Sequence, residues 1–337
     1  MPESPPGIHH VTCITGDVQR NVDFYVGVLG LRFIKKTVNF DVPDTYHLYF
    51  ADYLGTPGTA MTFFGWPHLP WGAQGTGQVL TVAFAVPERA LGAWSERLRR
   101  LGVGAERVTR FDAEALVLKD PDQIELALVG QASDERWEPW PDSPVPEDEQ
   151  IRGFHSVTLN VQEAEASARF LTETFGFTVA GREGARTRYR TGDGGPSALV
   201  DVLESPHGRR GEETTGTVHH VAWRARDDAH ELAWREALVT AGRSVTPVIE
   251  RKYFRSIYFR EPGGVLFEIA TDQPGFTVDE PPEALGSALQ LPPQYEDRRD
   301  NLKFNLPPIV VPTVDTKWGP SRIGDSVGIK LMSGGAV

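Results

Sequence analysis

The chain has 337 residues, 40% hydrophobic and 24% charged, the balance of a soluble globular protein with room for about two domains. Its formal net charge of -12 excludes nucleic acid and anionic membranes as partners, since both would repel it. A single cysteine, Cys13, excludes an internal disulfide and a multi-cysteine metal cluster. The opening Met1-Pro2-Glu3-Ser4-Pro5-Pro6 has no basic segment leading into an apolar stretch, so no signal peptide is read. The longest apolar run, residues 79–86, is too short to span a bilayer, and a cytoplasmic location is expected.

The first predicted element is a strand at Gly7-Ile8-His9-His10-Val11-Thr12, followed by a helix over residues 21–29 that closes on Leu29-Gly30-Leu31. A later strand reads Ala60-Met61-Thr62-Phe63-Phe64. A second unit opens on Leu80-Thr81-Val82-Ala83-Phe84 and continues into a helix with Leu91, Trp94, Leu98 and Leu101 on one side, capped by Gly102. It finishes with strands at 115–118 and 124–128 around a Pro121-Asp122 turn. Residues 131–150, rich in proline and acids, read as a linker.

The pattern then starts again. Gly153-Phe154-His155-Ser156-Val157-Thr158 repeats the first strand, and a helix over 164–175 closes on Phe175-Gly176-Phe177. A fourth unit opens on His219-His220-Val221-Ala222-Trp223. Its helix places Leu232, Ala233, Leu238 and Val239 at apolar spacing and ends at Gly242. Strands at 256–259 and 265–269 flank a Pro262-Gly263-Gly264 turn. Beyond residue 273 the periodicity fades into a Pro-rich extension, and residues 315–337 form a Gly/Ser-rich tail.

The chain therefore divides into four βαβββ units of an α+β fold. Units one and two fall in an N-terminal half (1–130), units three and four in a C-terminal half (151–273), with the linker at 131–150 and the extension and tail at 274–337. Over residues 7–272 this arrangement resembles the vicinal-oxygen-chelate superfamily, which includes glyoxalases, bleomycin-resistance proteins and extradiol dioxygenases. Within it the chain looks most like the hydroquinone-type ring-cleaving dioxygenases. The matching stretches are Gly7 to Thr12, Tyr46-His47-Leu48-Tyr49-Phe50-Ala51-Asp52, Leu54-Gly55-Thr56-Pro57-Gly58-Thr59, Gly153-Phe154-His155-Ser156 and residues 251–268. The resemblance implies two open β-barrels.

Aligning the unit starts exposes one column: His10, Thr81, Ser156 and His220. Alternation along a strand points that column to one face, and closure into a barrel turns the face inward. Glu268, on the last strand of the fourth unit, supplies a carboxylate that the first unit lacks. Two imidazoles and one carboxylate make the ligand set of a non-haem Fe(II) site with open positions, and Mn(II) suits the same donors. His10, His220 and Glu268 are thus the expected ligands, which requires units one and four to share a barrel. Asp201, His155 and His47 are rival ligands, while Glu125, two residues out of register opposite Thr81, is expected to be solvated or ion-paired. The resemblance further implies His9, Thr12, His219, Arg251 and Tyr258 around the metal, as proton acceptors and oxyanion partners. Strand alternation alone would turn His9 and His219 away, so reaching the site needs a twist or bulge.

Ligand count and resemblance together predict an Fe(II)-dependent, extradiol-type dioxygenase that opens a hydroquinone-like phenol with O2; a homo-oligomer is expected, its order not set by the sequence. Three rival functions stand beside it. A glyoxalase-like isomerase or thiol transferase would complete its metal with a fourth ligand. A metal-free binding module would hold a small molecule without any ion, and a stress protein with little turnover would carry the triad without consuming oxygen.

Overall fold

The computed structural model describes residues 1–131, 137–195 and 197–313. The expected tail and residues 132–136 of the expected linker lie outside the described residues.

Unit one comprises β1 (Ile8–Thr15), α1 (Val18–Val22), β2 (Arg32–Val38), β3 (Tyr46–Ala51) and β4 (Ala60–Gly65). Unit two follows with β5 (Gln78–Pro87), α2 (Leu91–Arg100), β6 (Ala105–Arg110), β7 (Ala113–Lys119) and β8 (Glu125–Gln131). Unit three has β9 (Phe154–Val161), α3 (Ala164–Arg169), β10 (Thr178–Glu183), β11 (Arg186–Arg190) and β12 (Leu199–Glu204). Unit four has β13 (Val218–Ala225), α4 (Asp228–Thr240), β14 (Ile249–Glu250), β15 (Arg255–Arg260) and β16 (Leu266–Thr271). A further helix, α5 (Arg299–Asn305), lies in the extension.

These strands build two curled eight-stranded sheets. The first runs β14-β15-β16-β13-β1-β4-β3-β2 and joins units four and one; the second runs β10-β11-β12-β9-β5-β8-β7-β6 and joins units three and two. Each sheet therefore takes one unit from each half of the chain, as the ligand argument requires. The antiparallel pair β1–β13 sits at the centre of the first sheet, and β5–β9 holds the same place in the second. β1 and β9 are buried along their whole lengths, because both faces of these central strands are covered. One continuous core spans both sheets, with Phe24, Phe84, Trp94, Phe154, Trp223 and Phe267 among its members.

The helices depart from expectation in two ways. The first starts earlier, at Val18, because the Asp17 side chain caps the amides of Gln19 and Arg20. It then continues as a π-helical segment, Asp23–Val28, and α3 continues likewise through Phe170–Thr174. On α4, Leu232 and Val239 are not core residues but stand 49% and 48% exposed. The indole of Trp234 sets the buried stripe instead, with Glu231 and Leu238 three and four positions away.

The described part of the extension packs along the first sheet. Leu289 bridges to Lys36 of β2, the Tyr295 hydroxyl donates to the Phe40 carbonyl at 2.8 Å, and the Tyr46 hydroxyl donates to the Pro307 carbonyl at 3.0 Å. Lys35 is fully buried, with its ammonium 2.7 Å from Asp279 and 2.5 Å from Glu280. Burial of that charge is tolerable because two carboxylates receive it.

Candidate active site

His10 on β1, His220 on β13 and Glu268 on β16 converge inside the first sheet. Their ligand atoms all lie within 4.8 Å of one another. His220 Nε2 is 2.8 Å and His10 Nε2 3.2 Å from Glu268 Oε2, and the two Nε2 atoms are 3.4 Å apart. The parallel pairing β13–β16 sets Glu268 beside Ala222, and the bonding of β1 to β13 brings His10 across from the same residue. All three side chains are buried. Glu268 Oε1 accepts a short hydrogen bond from Ser256 Oγ, whereas Oε2 meets no hydroxyl or amide and faces only the two imidazole nitrogens. Burial pushes the Glu268 carboxyl up, but the two imidazoles outweigh it and hold the group well below the usual carboxylate range.

These residues fit a metal ion. The fully buried Glu268 Oε2 and the two imidazole nitrogens facing it bring three lone-pair donors to one buried point, a set that a single cation satisfies together. The donor spacings of 2.8–3.4 Å are also close to the roughly 3 Å separating neighbouring donors bound about 2.1 Å from a shared ion.

The ring nitrogens that face away from Glu268 are also occupied. His10 Nδ1 lies 2.8 Å from His9 Nδ1, and His220 Nδ1 lies 2.7 Å from His219 Nδ1. The sheet register explains how neighbouring strand residues come side by side. Ile8 pairs with Trp223 but His10 with Ala222, so His9 is an extra residue in β1; Thr12 pairs with His220 but Cys13 with Val218, so His219 is an extra residue in β13. Each is a β-bulge, which re-aims the side chain that simple alternation would turn outward. Both outer rings stand edge-on to their neighbours, with centroids 5.1 and 5.0 Å away.

Above this cluster lies a cavity of about 250 Å³, walled by Tyr49, Phe64, Trp66, Phe254 and Tyr258 and reached by His47, His219 and Arg251. The loop carrying Asn39, Phe40, Asp41 and Val42 covers it. Arg251 Nε donates to the Tyr258 hydroxyl at 3.3 Å, while Arg251 Nη1 pairs with Asp41 at 3.0 Å. Burial lowers the His219 imidazole to about 3 and holds His47 well below its ordinary value, so both rings are neutral. Burial likewise keeps the Tyr258 phenol protonated. Of the other predicted residues, His9 is buried against Phe254 and is not among the cavity-lining residues. Thr12 connects indirectly: its hydroxyl meets Thr62 at 2.8 Å, Thr62 meets His47 Nε2 at 2.9 Å, and His47 Nδ1 meets the Tyr49 hydroxyl at 2.9 Å.

The glyoxalase/bleomycin resistance protein/dioxygenase superfamily model matches residues 7–128 and 153–269. The chain belongs to that superfamily. It is 42% identical to MhqO of Bacillus subtilis (strain 168), provisionally named a ring-cleaving dioxygenase, over 94% of this chain and 100% of that protein. It is 37% identical to a chlorohydroquinone/hydroquinone 1,2-dioxygenase of Sphingobium indicum, over 92% of this chain and 99% of that enzyme. A crystal structure of a Bacillus subtilis protein provisionally named a dioxygenase superposes with a TM-score of 0.88 at 42% identity, covering 92% of this chain and 99% of that one. Maize glyoxalase I, at 14% identity and a TM-score of 0.58 over 79% of this chain and 92% of its own, shares the fold. Membership of the dioxygenase branch of the superfamily implies a metal cofactor.

Superfamily pseudo-symmetry accounts for the rival ligands. In the four units the slot equivalent to Glu268 holds Thr62, Ala127, Asp201 and Glu268 itself. Asp201 sits in the second sheet and is held by Arg188 at 2.7 Å and Arg186 at 3.5 Å. Glu125 accepts from Thr81 Oγ1 at 2.5 Å, and His155 Nδ1 contacts Ser156 Oγ at 2.9 Å. Arg260 pairs with Glu213 at 3.0 Å. The fourth-ligand slot of a glyoxalase-type superfamily member is therefore taken here by Thr62, and His10, His220 and Glu268 form the only such ligand group among the described residues. The basic run at 251–255 is also spoken for: Arg251 pairs with Asp41, Lys252 with Asp279 and Arg255 with Asp228.

Two kinds of site residue escape sequence reasoning. His47 reads there only as a rival ligand, yet with Tyr49 it lines the cavity; their i, i+2 spacing within the Tyr46 to Asp52 stretch is the available signal. Asn39, Asp41, Trp66 and Phe254 come from loops and strand ends, where no periodicity marks them.

Proposed function

We propose that the chain opens hydroquinone-type rings with O2 in the extradiol manner, using Fe(II) held by His10, His220 and Glu268. The observation that carries the reading is the buried Glu268 carboxylate with two imidazole nitrogens within 3.2 Å, both from histidines that line an aromatic cavity. The relatives named as ring-cleaving dioxygenases support the reaction class. Two neutral imidazoles and a carboxylate suit Fe(II), and Mn(II) less specifically. The iron would supply the redox chemistry that joins O2 to an electron-rich ring.

The protein's own residues do the rest. At about 250 Å³ the cavity falls below the roughly 300–1,000 Å³ of sites for drug-sized ligands and has the dimensions of a single ring. Phe64, Trp66, Tyr49 and Phe254 exclude water from it and hold the ring by its faces. His219, which lines the cavity and turns only Nδ1 to His220, is placed to take the phenolic proton as the substrate binds, whereas both ring nitrogens of His47 are engaged by Thr62 and Tyr49. Because Arg251 donates to the Tyr258 oxygen, the Tyr258 proton is free to point into the cavity, where it can stabilise an oxyanion developing on the ring. His9 and His219 hold the ligand rings in orientation through their Nδ1 atoms.

Charge further narrows the substrate. Arg251 is the one lysine or arginine among the cavity-lining residues, and it is already paired with Asp41. A ring carrying a carboxylate would be desolvated without a free cation, so uncharged substituents are favoured. The test is turnover under ¹⁸O2 of the iron-loaded protein with hydroquinone, catechol and a carboxylated hydroquinone. The reading predicts two labelled oxygens in a ring-opened product from hydroquinone and little from the carboxylated ring. Recovery of quinone alone would reject ring cleavage.

A further inference from the structure

Trp66 lines two cavities at once. One is the catalytic cavity of about 250 Å³; the other, about 700 Å³, lies between the turn after β4 and the segment 305–307 of the extension. The indole stands on a fixed stalk: its backbone N–H donates to the Thr15 carbonyl at 2.9 Å, and the Leu69 N–H donates to the Trp66 carbonyl at 3.2 Å. Its ring packs on Phe64 with centroids 5.0 Å apart and on His219 at 6.5 Å, so it closes the side of the catalytic cavity next to the His219–His220 pair. The outer cavity has apolar walls from Val18, Tyr46, Leu69 and Leu306. Asp17, Asp44 and Glu213 also line it, while no lysine or arginine is among its lining residues.

We infer that Trp66 is a specificity-determining residue: it limits substrates to single rings by separating the catalytic cavity from an annex with room for an uncharged ring substituent. This rests on the proposed phenolic substrate. An aryl or alkyl group attached to the ring on its His219 side meets the indole in the native protein. With the indole removed, the same group passes into the annex and buries its apolar surface against Val18, Tyr46 and Leu306. An anionic substituent gains nothing, because three carboxylates line the annex against a single histidine, His68, and no lysine or arginine.

The test compares anaerobic dissociation constants of hydroquinone and phenylhydroquinone, by calorimetry, for the metal-loaded wild type, Trp66→Ala and Trp66→Leu. Hydroquinone-dependent oxygen uptake by the wild type is recorded alongside. The preference for phenylhydroquinone over hydroquinone should rise about ten-fold in Trp66→Ala and less in Trp66→Leu, the size of effect that apolar pocket changes produce. Trp66→Leu, which keeps an apolar plug, decides the matter if the alanine variant does not fold. An unchanged or reduced preference in a folded variant overturns the inference, and with normal oxygen uptake it does so without touching the dioxygenase reading. A shifted preference without oxygen uptake upholds Trp66 and rejects that reading instead.

Discussion

His9 and His219 occupy reciprocal bulges: each is the extra residue in its own strand of the β1–β13 pair, and each lays its Nδ1 against the Nδ1 of the following histidine. Two strands that meet antiparallel at the centre of a sheet thus present equivalent His-His pairs to one point. A metal held at Nε2 requires His10 and His220 to carry their proton on Nδ1 and donate it to His9 and His219, which fixes ring orientation and leaves Nε2 aimed at Glu268.

Replacing His9 should therefore loosen the metal rather than the substrate. His9→Leu is expected to weaken metal retention about 10–100-fold, the usual penalty for losing a partner of a ligating histidine, whereas His9→Asn, which keeps a hydrogen-bonding side chain, should recover much of it. Competition against a chelator measures both. Equal retention in all three proteins would mean that the His9–His10 contact does not orient the ligand.

The extension is expected to be an integral part of the first sheet. Lys35→Ala leaves the buried Glu280 without its ammonium, while Asp279 keeps Lys252, and removal of one partner from such a cluster costs about 3–5 kcal/mol. Chemical denaturation should show a loss of that order. A change below about 1 kcal/mol would mean that the ion cluster contributes little to holding residues 279 and 280 on β2.

Asp120 provides a pH signature of folding. Burial, with Asp122 beside it, raises its carboxyl to about 8; its oxygens accept from the Ile124 amide at 2.8 Å and meet the Tyr25 hydroxyl at 3.1 Å. The unfolded value is about 3.9, so the folded chain holds one more proton between the two. That contribution to stability is complete below about pH 4 and is lost as pH rises through about 8. Asp120→Asn, which mimics the neutral acid, should flatten the fall in denaturation midpoint between pH 5 and 8. Parallel wild-type and variant curves would show that Asp120 is ionised in the folded protein.

Much of this was legible from repeats. The column His10, Thr81, Ser156 and His220 turned His10 and His220 to one inner face and paired unit one with unit four, because strand alternation is a strict period and the repeats share a register. The same regularity misled at His9 and His219: alternation turns them away, and nothing in a linear pattern announces an inserted residue except the repeated His-His itself. On α4 the apolar spacing of Leu232 and Val239 pointed to the wrong face, since one indole at Trp234 outweighs two aliphatic side chains in setting what is buried. The loop at 39–42 and Trp66 were illegible for a different reason. Their place over the site comes from contacts with the extension and with β1, some made by residues more than two hundred positions away.

The most direct measurement is iron content together with hydroquinone-dependent oxygen uptake, after anaerobic Fe(II) reconstitution, in the wild type and in the double variant His220→Ala, Glu268→Ala. The wild type should hold about one iron per chain and consume oxygen only when hydroquinone is present, and the double variant should do neither. Iron retained at full stoichiometry by the double variant, or oxygen uptake undiminished by it, would contradict the assignment of His10, His220 and Glu268 as the metal centre.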